Sequence, residues 1–141
     1  MSMSEQDWKR AEEALSMFSP IYLKCDGYTL AVQEVRLGNR VVITWFVEGF
    51  FKGAWLLNDC EERRRFARCL KRYAYPTKIR TAFKKLSKKM QKEMDIDPDK
   101  RINVYEPNWT SFAAFKRHLK ANNKEISIIS LTGYLPDQEA V

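Results

Sequence analysis

Apolar residues in this chain recur at helical spacing near the N-terminus, at alternate positions from Pro20 to Leu56, and at helical spacing again over most of the C-terminal half. The opening helix is signalled by Ser4 as N-cap, Asp7 three residues later, and Met3 and Trp8 placed as a hydrophobic staple. Trp8, Ala11 and Leu15 form its inward stripe. Strands are predicted over Ile21–Cys25, Tyr28–Leu37, Arg40–Val47 and Phe51–Leu56, separated by Asp26-Gly27, Gly38-Asn39 and Gly49. Turns this short make neighbours antiparallel, hence a four-stranded meander. Val41, Ile43, Trp45 and Val47 alternate with Val42 and Phe46, so the third strand is apolar on both faces and reads as central.

Beyond Asn58 the spacing predicts a helix over Asp59–Tyr73, with Asp59 and Glu62 at capping-box spacing and Phe66, Leu70 and Tyr73 inward. Pro76 ends it. A second helix is predicted over Thr77–Met94, with Ile79, Phe83, Leu86 and Met90 facing the sheet. A short extended piece comes next at Ile102–Tyr105, and Pro107 introduces a third helix with Trp109, Phe112, Phe115 and Leu119 inward. Ile126–Leu131 reads as a last strand. The expected fold is therefore α+β: an N-terminal helix, the four-stranded antiparallel meander, three helices packing on the sheet and a short C-terminal strand. With 141 residues, no repeat and no low-complexity linker, one domain is expected over residues 1–141, with 136–141 a frayed tail.

Charge changes this picture more than composition does. Between Arg63 and Lys92 stand thirteen Lys and Arg and no Asp or Glu, while the rest of the chain holds 12 basic and 18 acidic residues. The net of +7 is thus the sum of one strongly cationic segment and a mildly acidic body. On the two predicted helices Arg64, Arg65, Arg68, Lys71 and Arg72, and then Lys84, Lys85, Lys88 and Lys92, fall opposite the apolar stripes. Like charges at i,i+4 repel, so stability alone does not favour this arrangement; a polyanion does. Arg in the first helix adds bidentate phosphate geometry. Tyr73 and Tyr75 flank the hinge between the helices and are candidates for stacking on an unpaired base. An acidic protein surface is the alternative partner for the same face.

Other chemistry finds little support. Asp95, Asp97, Asp99 and Glu106 reproduce positions 1, 3, 5 and 12 of a calcium loop, but Lys100 stands where glycine is needed and Pro98 stiffens the turn. An acidic helix-to-strand connection is expected instead, with no metal and no cofactor. His118 is the sole histidine, on an expected surface helix position. Cys25, Cys60 and Cys69 are scattered and odd in number, which suggests reduced thiols rather than disulfides or a metal set. Glu34 and Glu48 could meet across strands, as solvated carboxylates commonly do. No Gly-rich phosphate loop, nucleophile elbow, zinc-finger spacing or RNP-type run occurs, so no catalytic residue is assigned and no enzyme is expected. No segment has the roughly 18 apolar residues of a membrane span, and no signal-peptide pattern opens the chain, so a cytoplasmic setting is expected.

Two stretches, Phe51-Lys52-Gly53-Ala54-Trp55 running into Asp59–Phe66 and Trp109-Thr110-Ser111-Phe112 running into Phe115–Asn123, resemble a family of small proteins encoded by tailed phages and prophages. That family has no established activity to carry over. The resemblance implies a setting, the bacterial host cytoplasm, where binding nucleic acid or blocking a host nucleoprotein or defence complex is a usual occupation. The combined expectation is a nonenzymatic accessory protein that binds nucleic-acid backbone with little sequence specificity.

Overall fold

The computed structural model describes residues 2–136 of an α+β protein. The expected frayed tail therefore lies outside the described residues from 137 onward. In chain order the elements are α1 (Glu5–Leu15), β1 (Ile21–Cys25), β2 (Tyr28–Leu37), β3 (Arg40–Val47), α2 (Ala54–Leu57), α3 (Glu61–Phe66), β4 (Arg68–Tyr73), α4 (Thr77–Lys84), α5 (Lys88–Glu93), β5 (Arg101–Glu106), α6 (Phe112–Asn122) and β6 (Ile126–Ser130). They form two compact units, one built from the chain up to Arg68 and again from Tyr105 onward, the other from Cys69–Val104.

In the first unit the capping box predicted for α1 is present in both directions: the Ser4 hydroxyl accepts from the Asp7 N–H, and the Asp7 carboxylate accepts from the Ser4 N–H. A four-stranded antiparallel sheet runs in the order β3-β2-β1-β6. Asp26 and Gly27, both at positive φ, make the tight turn between β1 and β2. The core lies on one sheet face, where Ile21, Leu23, Leu30, Val32, Ile43 and Trp45 meet Trp8 and Leu15 of α1 and Phe115 and Leu119 of α6.

Several expectations are corrected. The fourth strand is β6, not Phe51–Leu56; after the Glu48-Gly49 turn the chain pairs only at Phe50 and then coils into α2. Burial explains this, since the helical turn stacks Trp55 on Trp45 with ring centroids 5.9 Å apart while Phe51 meets the same indole edge-on. β3 is an edge strand rather than a central one, and its open side is partly taken by Trp109, which exchanges two backbone hydrogen bonds with Ile43. Trp109 therefore precedes α6, which starts from the N-cap Ser111.

The predicted helix Asp59–Tyr73 stops at Phe66 and continues as the strand β4. Two carbonyls that a longer helix would need are already engaged: Phe66 O accepts the Trp109 indole N–H at 2.9 Å, and Arg64 O accepts from His118 Nε2 at 3.0 Å. The second predicted helix, Thr77–Met94, is two helices. Ser87 adopts extended backbone and caps α5 through the Met90 N–H, while the Gln91 amide donates to the carbonyls of Phe83 and Leu86. The expected inward stripe of these helices is not a core. Ile79 and Met90 are exposed, Phe83 and Leu86 are half-buried, and neither helix buries a residue. A unit as short as Cys69–Val104 cannot enclose much apolar surface.

Candidate anion-binding surface

The basic residues separate by the role their charges already play. Arg65 is mostly buried and belongs to a structural network: its guanidinium donates to Asp26 at 2.8 Å, to Glu61 at 3.0 Å and to Asn123 at 2.9 Å. The Asp26 carboxylate is held down to about 2 by the backbone N–H groups of Lys124 and Glu125 and by Arg65. Arg63, also mostly buried, lies 3.4 Å from Asp59 and places its guanidinium over the Tyr105 ring. Arg64 is exposed but shares Asp59 at 3.4 Å, and Arg68 lies 3.9 Å from Glu106. Arg64, Arg65 and Arg68 thus fall in the first unit, each beside a carboxylate.

Lys71, Arg72, Lys84, Lys85, Lys88 and Lys92 fall in the second unit. Lys71 and Arg72 are neighbours on a strand, so they point to opposite faces and do not continue a helical stripe with Arg64 and Arg68. Lys84, Lys88 and Lys92, predicted on one helix, come together by a different route. They line one recess of ≈ 690 Å³ between α4, α5 and the loop at Asp97–Asp99. Asp99 pairs with Arg80 at 3.2 Å and with Lys84 at 3.5 Å, and its carboxyl is lowered by the hydrogen bond from Arg80 and the charge of Lys84. Lys71, Lys78, Lys85, Lys88, Lys89, Lys92 and Lys100 have no ion pair among the described residues. Lys78 and Lys89 flank the apolar stripe rather than oppose it at helical spacing; Ser87, a good N-cap residue three before Met90, is the local signal for the break between α4 and α5.

Net charge divides sharply between the units. Cys69–Val104 holds eleven Lys and Arg against four Asp and Glu, the whole formal net of +7, while the rest of the chain holds fourteen of each sign.

Tyr73 is less available for stacking than its sequence position suggests. Arg80 lies over its ring at 3.3 Å from the centroid, and Arg101 lies at 4.3 Å while donating to its hydroxyl at 3.0 Å. Tyr75 is half-buried and meets Phe83 edge-on at 5.0 Å. In the acidic loop Asp97 accepts from the Asp99 N–H, and no group of three or more His, Cys, Asp or Glu side chains among the described residues is placed to hold a metal. Glu106 ends β5. Glu34 and Glu48 do not meet, since Glu34 follows the core-facing parity of Val32 while Glu48 lies beside Thr29 on the opposite face.

His118 is half-buried rather than a free surface group. Burial lowers its pKa, and as the Nε2–H tautomer it donates to Arg64 O while Nδ1 faces the Asn122 amide at 3.3 Å. All three cysteines are free; burial pushes the Cys25 thiol up to about 12, which leaves it unreactive. No helix among the described residues is long and apolar enough to cross a membrane. Comparison with family models, curated proteins and solved structures yields no match.

Proposed function

We propose that this protein is a nonenzymatic, phage-like accessory protein of the bacterial host cytoplasm that binds nucleic-acid backbone with little sequence specificity. The grip is assigned to the Cys69–Val104 unit rather than to a pair of long helices. What supports this reading is the segregation of charge: the net +7 resides in one small unit, and seven of its eight lysines have no ion pair among the described residues. Carrying Lys88, Lys89 and Lys92 on the one short helix α5 costs self-repulsion that phosphates relieve, with release of their counterions. Arg64 and Arg65 do not serve as phosphate ligands in this reading, because Asp59, Asp26 and Glu61 already hold them.

A second reading has a specific observation in its favour. Ile79, Met90 and Met94 are exposed among the lysines of the same unit, a mixture that also suits an acidic protein partner, as in an inhibitor or adaptor acting on a host nucleoprotein or defence complex. Fluorescence anisotropy with labelled DNA and RNA at rising salt separates the two. Phosphate binding weakens steeply with salt. No affinity for either nucleic acid at low salt, together with salt-resistant capture of an acidic protein, rejects the first reading.

A further inference from the structure

The first unit presents a second surface, remote in chemistry from the lysines: the sheet face opposite the core. Along one row of this face Tyr22 of β1 stands across from Ala31 of β2, and Ala31 stands across from Phe46 of β3. Two aromatic residues therefore flank an alanine on three adjacent strands. The outer strands of such a row are about 9.5 Å apart, while a planar ring in van der Waals contact with a ring on each side needs about 7–8 Å between the two. Strand spacing therefore leaves room for one flat ring above Ala31. The row lies in a trough of ≈ 850 Å³.

Trp8, Tyr28, Trp45, Phe51, Trp55, Phe66, Trp109 and Phe115 all make ring–ring contacts, yet among the described residues neither Tyr22 nor Phe46 has an aromatic or cationic partner. Phe46 is 37% exposed although its neighbours Trp45 and Val47 are buried. Polar groups edge the row on both sides. Lys24, paired across the sheet with Thr29, has no ion pair among the described residues and sits two residues from Tyr22 on the same face, about 7 Å along the strand. Glu48 accepts from the Thr29 N–H through Oε1, leaving Oε2 available, and Gln33 donates its amide N–H to Phe18 O, leaving Oε1 available.

We infer that this face receives an unpaired nucleobase between Tyr22 and Phe46, with Lys24 on the adjoining phosphate and Glu48 or Gln33 accepting from an exocyclic amine. The inference deepens the proposed function by naming the substrate as single-stranded, and it rests on that reading. A duplex keeps its base faces stacked and cannot supply the ring, whereas sheet-borne aromatics that take up splayed bases are a general mode of single-strand recognition.

The test compares a short deoxyadenylate strand with an abasic phosphodiester strand of equal length, by anisotropy on the full chain. The base-bearing strand is expected to bind about tenfold or more tightly. Tyr22→Ala and Phe46→Ala should each erase that preference without changing affinity for the abasic strand, and Tyr22→Phe should retain it, which separates stacking from loss of fold. Equal affinity of the wild-type chain for both strands overturns the base slot and leaves the phosphate reading standing. Affinity for neither overturns both.

Discussion

The indole N–H of Trp109 donates to the carbonyl of Phe66 across 43 residues of sequence, at 2.9 Å in the buried interior. That carbonyl is the one the Leu70 N–H would use if the helix went on, so the bond helps decide where the basic segment leaves helical geometry and becomes β4. Replacing Trp109 with Phe keeps a ring against Phe115 and removes the donor. An acceptor stranded in the core costs roughly 1–3 kcal/mol. Urea denaturation of Trp109→Phe should show a lower midpoint at unchanged slope; an unchanged midpoint would remove this explanation of the helix end.

Asp26 ties the turn between β1 and β2 to Arg65 of α3 and to the backbone leading into β6. Its folded pKa, about 2, lies below the ordinary 3.8, so the unfolded chain binds the extra proton between these values. The stabilisation is complete above about 3.8 and is lost as pH falls towards 2. Asp26→Asn is predicted to be less stable at neutral pH and to lose this part of the acid transition, as followed by circular dichroism. A variant whose acid profile overlays the wild type contradicts it.

His118 titrates in a separate window. Burial places its folded pKa below the ordinary 6.5, so its neutral form contributes stability that is fully present above about 6.5 and declines as pH falls through that value towards the folded pKa. Thermal unfolding of the wild type should therefore move to lower temperature on acidification from neutral, and His118→Gln should flatten that dependence. A slope identical in the two proteins would assign the effect to other groups.

Ser87 holds the start of α5 through its hydroxyl on the Met90 N–H. Losing an N-cap oxygen costs about 0.5–2 kcal/mol, which corresponds to roughly two- to thirtyfold faster amide exchange where opening is local. Ser87→Ala should show this acceleration at Met90–Glu93 with the β1–β2 amides unchanged. Equal acceleration in both places would mean that the cap supports the whole chain rather than one helix.

Much of the fold was legible because its signals are local. The capping box at Ser4 and Asp7, the Asp26-Gly27 turn and the alternation through β1, β2 and β3 each operate over a few residues. The basic segment departs from its local pattern where distant partners intervene. Phe66, Leu70 and Tyr73 keep helical spacing, yet Trp109 and His118 take the carbonyls that a continuous helix requires, and nothing between Asp59 and Tyr73 encodes those two side chains. The concentration of cations was visible, whereas the pairing of Arg65 with Asp26 was not, because the two lie 39 residues apart and meet only once the chain has folded. Ser87 is a different case: its signal is local and was outweighed by the apolar stripe of Ile79, Phe83, Leu86 and Met90.

Phosphate binding by the Cys69–Val104 unit is decided by the salt dependence of nucleic-acid affinity, measured for the wild type and for a Lys88→Glu, Lys89→Glu, Lys92→Glu variant. If about six of the unit's lysines without ion pairs among the described residues engage phosphates, wild-type affinity should fall about 10³-fold between 50 and 200 mM salt, and the variant should bind far more weakly with a shallower slope. Wild-type and variant curves that coincide, or a wild-type affinity indifferent to salt, would contradict the assignment of the phosphate grip to this unit.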